Sequence, residues 1–214
     1  MNKKIYLVLL AAVLTASYAQ AQLTFGARAG LNFTNMSVKM GGTSISADMK
    51  PGIQLGVVAE YALSESFVIQ PGLLFAQQGS KSKYSGTTSK GKEKTTLNYL
   101  QIPVNAQYKV DLGGMKLLFQ AGPYFGFALN GKIKGEDTSG GETSKYDHKI
   151  EFGSDAEFRR FDFGLGIGAG LEFGNMQAGL GYNIGIANLA PDNDYDYKMK
   201  NNGLALTVTY FFGK

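Results

Sequence analysis

The sequence predicts an all-β protein, an eight-stranded antiparallel up-and-down transmembrane β-barrel. Apolar residues alternate with small or polar residues along eight segments, long and short connections alternate between them, and the segments are almost free of charge. A repeat of two residues is typical of a β-strand whose two faces meet different surroundings. The 29 glycines, 14 phenylalanines and 12 tyrosines also favour sheet over helix.

The eight segments follow one another without a helical pattern between them. We predict strands at residues 23–34, 52–61, 67–77, 97–108, 115–129, 161–173, 176–188 and 203–212. The sixth and seventh are joined by Gly174-Asn175, a two-residue hairpin turn that places Phe173 opposite Met176. Long loops are predicted at 35–51, 78–96, 130–160 and 189–202, and they fall at the opposite end of the barrel from the short turns.

The distribution of charge decides which face of the barrel is apolar. A soluble lipocalin-type barrel is the alternative, and it would carry charge on its outer surface. Of the 96 residues in the predicted strands only five are charged, namely Arg28, Glu60, Lys116, Asp162 and Glu172. The polar face is instead Gly, Asn, Gln and Thr, which suits the narrow interior of an eight-stranded barrel. We therefore expect the apolar face to contact lipid.

The N-terminal segment has the composition of a secretory signal peptide. Lys3 and Lys4 precede an apolar stretch, and the segment ends in small residues at Ala19-Gln20-Ala21. We predict cleavage after Ala21, which leaves a barrel domain at residues 22–214. That domain has 19 basic and 17 acidic residues, a balance of +2 that argues against a nucleic-acid partner. With no cysteine, nothing indicates a disulfide framework or a thiolate metal site.

The strand charges share the polar register and lie mostly near the short turns. We predict a lumen charge cluster of Arg28, Glu60, Lys116 and Glu172, in which Arg28 contacts Glu60 or Glu172 and helps to plug the barrel. Charges inside a narrow, low-dielectric interior are tolerated when they are paired.

No motif in the chain predicts catalysis or a cofactor. Gly164–Ala169 fits a dinucleotide pattern, but its glycines continue at a period of two and no helix follows. The single histidine, His148, lies beside Asp147 in a predicted loop, whereas a catalytic set needs rigid positions. Asp192, Asp194 and Asp196 resemble the start of a calcium loop but lack its glycine and its bidentate glutamate, which favours a solvated acidic loop.

One predicted loop is strongly basic. Its lysines are possible surface contacts to lipopolysaccharide phosphates, although a flexible charged loop is the commoner explanation; they are Lys81, Lys83, Lys90, Lys92 and Lys94.

Several segments resemble the PorT-like outer-membrane β-barrel family: Phe67–Leu73, Leu97–Val104, Gly122–Gly126, Phe161–Gly166 and Leu206–Phe212. The resemblance implies an outer-membrane location in a Gram-negative bacterium, with lipid and lipopolysaccharide around the barrel and the barrel-insertion machinery as an assembly partner. One branch of the family is tied to protein secretion, so secretion-system proteins are further candidate partners.

Three functions follow from these observations. The first is a closed barrel with a structural or surface-interaction role, which leads because eight strands leave no open channel. The others are a component of a secretion machine and a narrow transport pore. Bacterial barrels place their short turns in the periplasm, so we expect periplasmic termini and extracellular long loops.

Overall fold

The computed structural model describes residues 23–86, 89–153, 156–191 and 197–213. The predicted signal peptide and the Asp192–Asp196 segment lie outside these residues. Within the described part of the chain, no helix is long and apolar enough to cross a membrane.

The described residues form ten strands, all paired antiparallel. They are β1 (Leu23–Met40), β2 (Thr43–Ser46), β3 (Asp48–Ala62), β4 (Phe67–Ser85), β5 (Ser89–Asp111), β6 (Lys116–Ser139), β7 (Glu142–Lys149), β8 (Phe161–Phe173), β9 (Met176–Gly185) and β10 (Lys198–Phe212).

Eight of the ten strands form a ring that returns to its first member. The order runs from β1 through β3, β4, β5, β6, β8 and β9 to β10, and β10 pairs with β1 from Phe25↔Phe212 to Lys39↔Lys198. The short strands lie off this ring, since β2 pairs only with β1 and β7 pairs only with β6. The fold is thus an up-and-down, barrel-like sheet with two more strands than the sequence predicts.

The two extra strands and several extensions replace predicted loops. Residues 78–96 are mostly a long hairpin of β4 and β5, and residues 130–149 are the end of β6 followed by β7. The prediction of loops there was wrong because it required apolar residues at every second position. These extensions keep the two-residue alternation, but with lysine where the barrel strands carry apolar side chains.

The two faces of the ring differ as the alternation predicts. The outward side chains are large, apolar and exposed, with Phe25 at 59% and Leu55 at 59% of their full accessibility. The inward side chains are buried, and they include Gln70, Gln107 and Thr209. The outer surface of the ring is therefore the apolar one.

Glycine makes the tightest places in the sheet possible. Gly174 has φ of +50° in the turn between β8 and β9, where Phe173 and Met176 face each other in register. At Gly164 a Cβ would collide with the carbonyl oxygen of Ile184 and lie 2.7 Å from the Tyr124 ring. Gly164 thus leaves the space in which the buried Tyr124 side chain lies.

Candidate functional site

A buried ion cluster crosses the lumen near the short turns. Lys109, on β5, places its Nζ 2.8 Å from Glu60 Oε1 on β3 and 2.6 Å from Glu172 Oε2 on β8. All three side chains are less than a tenth exposed. A buried charge needs both a counter-ion and hydrogen bonds to offset its lost hydration, and here one ammonium lies between two carboxylates.

Glutamine side chains complete this cluster. Gln177 Nε2 donates to Glu60 Oε1 and to Glu172 Oε2, both at 3.2 Å, and Gln70 Nε2 donates to Glu60 Oε1 at 3.0 Å. Amides both donate and accept, so they can join charges that do not touch. The result is a continuous polar layer across the lumen, which we call the polar plug: Arg28, Glu60, Gln70, Lys109, Glu172 and Gln177.

Arg28 enters the polar plug through neutral groups. Its Nε donates to Thr209 Oγ1 at 2.8 Å, and its guanidinium also donates to the side-chain oxygens of Gln70 and Gln177. Those two amides then donate to Glu60. Hydrogen bonds thus connect Arg28 to Glu60, one of its two predicted partners, through these two glutamines.

Of the four residues predicted for the lumen cluster, the structure brings together Arg28, Glu60 and Glu172. Lys116 lies in register with Glu172 but is only half-buried at the strand end, and within the described residues it forms no ion pair. Lys109 takes its place in the cluster, although it lies just past the end of the strand predicted at residues 97–108. The signal that could have found Lys109 is its parity with Asn105 and Gln107, both inward on β5.

Inward side chains leave two small spaces in the middle of the lumen. The spaces left there measure about 50 Å³ and about 10 Å³. Tyr124, Gln101 and Asn183 line both of them. A water molecule needs roughly 10–15 Å³ of such volume, so the larger space has room for a few waters.

An apolar cluster closes the end opposite the short turns. Loop residues Ile150, Phe158 and Leu189 pack against inward strand residues at this end, and we call the whole cluster the apolar cap: Met36, Leu97, Tyr99, Ala128, Ile150, Phe158 and Leu189. Asp162 lies fully buried nearby and accepts a hydrogen bond from Asn201 Nδ2 at 3.1 Å. The two ends of the lumen thus differ in chemistry, with ions and amides at one end and apolar side chains at the other.

Four strands continue beyond the apolar cap as one extended sheet. We call it the wall; it consists of residues 81–85 of β4, 89–94 of β5, 132–139 of β6 and all of β7. Cross-strand partners share a face of a sheet, and Lys81 pairs with Lys94, which pairs with Lys134. The five lysines predicted to lie in a basic loop are all in this wall.

The two faces of the wall carry opposite charge. The register places nine lysines on the outward face together with two acids, Glu136 and Asp147: Lys81, Lys83, Lys90, Lys92, Lys94, Lys132, Lys134, Lys145 and Lys149. We call this the lysine face. The inward face of the wall carries no lysine; its acids are Glu93, Asp137 and Glu142.

Hydrogen bonds hold the acids of each face. On the inward face Tyr146 donates to Glu93 Oε2 at 3.0 Å, which raises the pKa of Tyr146 to about 12, and Tyr84 donates to Asp137 Oδ1 at 2.6 Å, which raises the pKa of Tyr84. On the lysine face Lys134 lies 2.7 Å from Asp147 and lowers the pKa of that carboxyl.

His148 and Asp147, neighbours in sequence, lie on opposite faces of β7. His148 Nε2 is 2.9 Å from Glu157 Oε1 on the inward side, whereas Asp147 pairs with Lys134 on the outward side. Within the described residues no group of three or more His, Cys, Asp or Glu side chains could hold a metal ion.

The barrel-like ring and its faces can now be compared with known proteins. The family model for the outer membrane protein beta-barrel domain matches residues 18–190. The chain belongs to this family. It is accordingly an outer-membrane protein, and its exposed apolar girdle is the surface that such a location requires.

Solved structures of other outer-membrane barrels are similar to this outer-membrane β-barrel protein in fold. Neisserial surface protein A is 16% identical, with 88% of this chain and 97% of that chain covered and a TM-score of 0.43. The attachment invasion locus protein Ail of Yersinia pestis is 16% identical, with 87% and 98% covered and a TM-score of 0.38. The outer membrane protease OmpT of Escherichia coli is 12% identical, with 88% and 97% covered and a TM-score of 0.38. No curated protein matches the chain.

Proposed function

We propose that the protein spans the outer membrane as an eight-stranded barrel with a sealed lumen, and that it serves a structural or surface-interaction role through its wall. The observation that carries this proposal is the pair of closures: the polar plug at the short-turn end and the apolar cap at the other. A barrel of eight strands is just wide enough for side chains to fill it. A filled lumen leaves the exterior and the wall as the surfaces that can act.

The outward side chains support the membrane-spanning part of the proposal. Leu31, Leu55 and Phe119 are about half exposed or more, which in water would be an apolar patch far larger than soluble proteins tolerate. Tyr61, Tyr108 and Tyr210 lie near strand ends, where aromatic residues border the lipid.

The orientation of the barrel belongs to the same proposal. Short turns of bacterial barrels face the periplasm, so the wall projects from the cell surface and both termini are periplasmic. Export through a signal peptide cleaved after Ala21 in a Gram-negative cell, followed by the barrel-insertion machinery, would deliver the chain to this location.

Cysteine reactivity tests whether the lumen is sealed, because the chain has no cysteine of its own. Asn105 lies in the middle of the lumen and is buried, whereas Lys83 on the lysine face is exposed. In the membrane-inserted protein, Asn105→Cys should stay unlabelled by a charged water-soluble thiol reagent, while Lys83→Cys reacts at once. Equal labelling of both would show an open, water-filled lumen and overturn the proposal.

Membership of the PorT-like group, and with it a role in secretion, is a second proposal, supported by the sequence segments named above. Its test is co-purification: a tagged chain extracted from outer membranes in mild detergent should bring down components of a secretion apparatus. Recovery of the barrel with lipid alone would reject this second role and leave the first intact.

A further inference from the structure

The outward side chains change from apolar to amide to lysine with increasing distance along the strands toward the tip of the wall. Cross-strand partners share a face, so each row of partners marks one level on the outer surface. The topmost apolar row contains Phe75, Leu100 and Phe127. One step beyond it is a row of amides in which Gln77 donates to Asn98 Oδ1 at 3.2 Å and Asn98 donates to Asn130 Oδ1 at 2.7 Å.

The lysines begin one step beyond these amides. Lys132 pairs with Lys149, and the rows that follow contain Lys81 with Lys94 and Lys83 with Lys92. Successive rows are two residues apart, except on β6, where a bulge makes the step from Phe127 to Asn130 three residues. A two-residue step is roughly 7 Å along the strand and less in height because barrel strands are tilted. The lysine face is therefore continuous, on the same strands, with the apolar surface that meets hydrocarbon, although a β-bulge shifts the register of β5 and β6 between Tyr99 and Asn98.

The same order recurs on the strands that close the ring. Outward on β1 and β10, the apolar pair Phe33↔Leu204 is followed by the amide pair Asn35↔Asn202. Lys200 then faces Ser37, and Lys198 faces Lys39. At a third place, the Arg160 guanidinium lies 5.5 Å from the ring centre of Phe127, at the edge of the apolar surface.

Most of the charge on the lysine face lacks a counter-ion. Nine lysines against Glu136, Asp147 and Asp48, which pairs with Lys81 from the neighbouring strand β3, give a net charge of +6 for this part of the surface. Within the described residues only two of its ion pairs are formed, Lys92 with Glu136 at 2.8 Å and Lys134 with Asp147 at 2.7 Å. A groove of about 570 Å³ runs between the lysine rows, and Lys81, Lys94 and Lys145 line it.

We propose that the lysine face binds the phosphorylated headgroups of the glycolipid in the outer leaflet beside the barrel, so that the wall is anchored against the membrane surface. A soluble polyanion would bind to the positive charge alone, and its binding would not require the lysines to lie next to the apolar surface. A lipid needs both, because its acyl chains contact the apolar rows while its phosphates meet the rows above. Lysine ammonium groups bind phosphate as point charges, and their stems provide apolar contact. This inference rests on the proposed membrane-spanning barrel.

The test measures lipid retained by the full mature chain in detergent, counted by native mass spectrometry. The probes are bisphosphorylated lipid A and the same lipid without phosphates. The variant Lys81→Gln/Lys83→Gln/Lys94→Gln removes three charges that make no recorded ion pair, and the matched control replaces the same residues by arginine. A lysine near an anionic surface is worth about fivefold, so the loss of three should weaken lipid A binding about a hundredfold, while the arginine variant keeps its affinity.

Two outcomes would overturn the inference. One is equal binding of the phosphorylated and dephosphorylated lipids by the unaltered chain, a comparison that needs no variant to fold. The other is binding of a soluble sulfated octasaccharide that depends on these lysines while lipid A does not bind, which would identify a soluble polyanion as the partner. Neither outcome alters the reactivity of Asn105→Cys, so failure of this inference is distinguishable from failure of the sealed barrel.

Discussion

Lys109 and Glu60 form an ion pair across the lumen although their strands are not neighbours. Nζ and Oε1 are 2.8 Å apart, while β5 and β3 are separated by β4. The pair therefore crosses the inner face of β4 and does not join two neighbouring strands. Because Lys109 also pairs with Glu172 on β8, which is opposite β3 in the ring, it ties the two sides of the ring together at the level where the short turns end.

Replacing Lys109 tests the energetic weight of that pair. Lys109→Met would leave Glu60 and Glu172 buried without their ammonium. Removing one partner of a buried charge cluster costs about 3–5 kcal/mol, and we expect a loss of that order in the free energy of unfolding. Urea unfolding in detergent or bilayers measures it.

Lys116→Met is the matched control, because Lys116 also lies near a short turn but is half-exposed. Its replacement should change the free energy of unfolding by no more than about 0.5 kcal/mol. Equal losses for the two variants would contradict the assignment of the polar plug to Lys109.

Alanine substitutions at Gly164 and at Gly166 should lower the free energy of unfolding by different amounts. Alanine at Gly164 would meet the backbone oxygen of Ile184 and the Tyr124 ring, whereas at Gly166 its nearest neighbour is the movable Asn183 side chain at 2.8 Å. We expect Gly164→Ala to lower the free energy of unfolding by about 1–3 kcal/mol. Gly166→Ala should cost clearly less, and the reverse order would show that Tyr124 does not occupy the space beside Gly164.

One tyrosine of the wall, Tyr146, should ionise only at unusually high pH. The carboxylate of Glu93 accepts the Tyr146 hydroxyl proton in a hydrogen bond and disfavours the phenolate, so the pKa of Tyr146 is raised to about 12. Glu93→Gln should bring the pKa back toward the ordinary value near 10. Alkaline difference spectra, with Tyr146→Phe as the reference, follow this single residue. An unchanged titration in Glu93→Gln would show that the inward face of the wall is not paired as described.

Epitope insertion tests the orientation. The Gly140-Gly141 turn is the tip of the wall, and Gly113-Gly114 lies in a short turn at the other end; both turns use positive φ. A short epitope at 140–141 should bind antibody on intact cells, while one at 113–114 should require permeabilised cells. The opposite result would invert the barrel.

The ring and its two faces could be predicted because alternating apolar and polar residues indicate a strand with one side toward lipid and the other toward the lumen. The burial of Lys109 could not be predicted, since the predicted strand ended at Tyr108, just before this charged residue. A lysine just past an apolar segment usually marks a solvated turn, and only the carboxylates of Glu60 and Glu172, on distant strands, make burial of Lys109 favourable.

The wall was missed for a related reason. Beyond the apolar rows neither face of a strand needs apolar side chains, so the apolar signal ends although the backbone pairing continues. The segment from Lys81 to Ser85 and the segment from Ser89 to Lys94 still alternate, but between lysine and small, acidic or tyrosine residues. Reading that alternation as a strand would have required knowing that β6 continues beside it.

Conductance across a planar lipid bilayer tests the sealed lumen most directly. The purified full-length barrel is inserted, insertion is verified by its heat-dependent gel mobility, and a large porin-type barrel serves as the positive control. With the polar plug and the apolar cap in place, we predict no stepwise current at any voltage that the bare bilayer withstands. Reproducible single-channel steps from the unaltered protein would contradict the account.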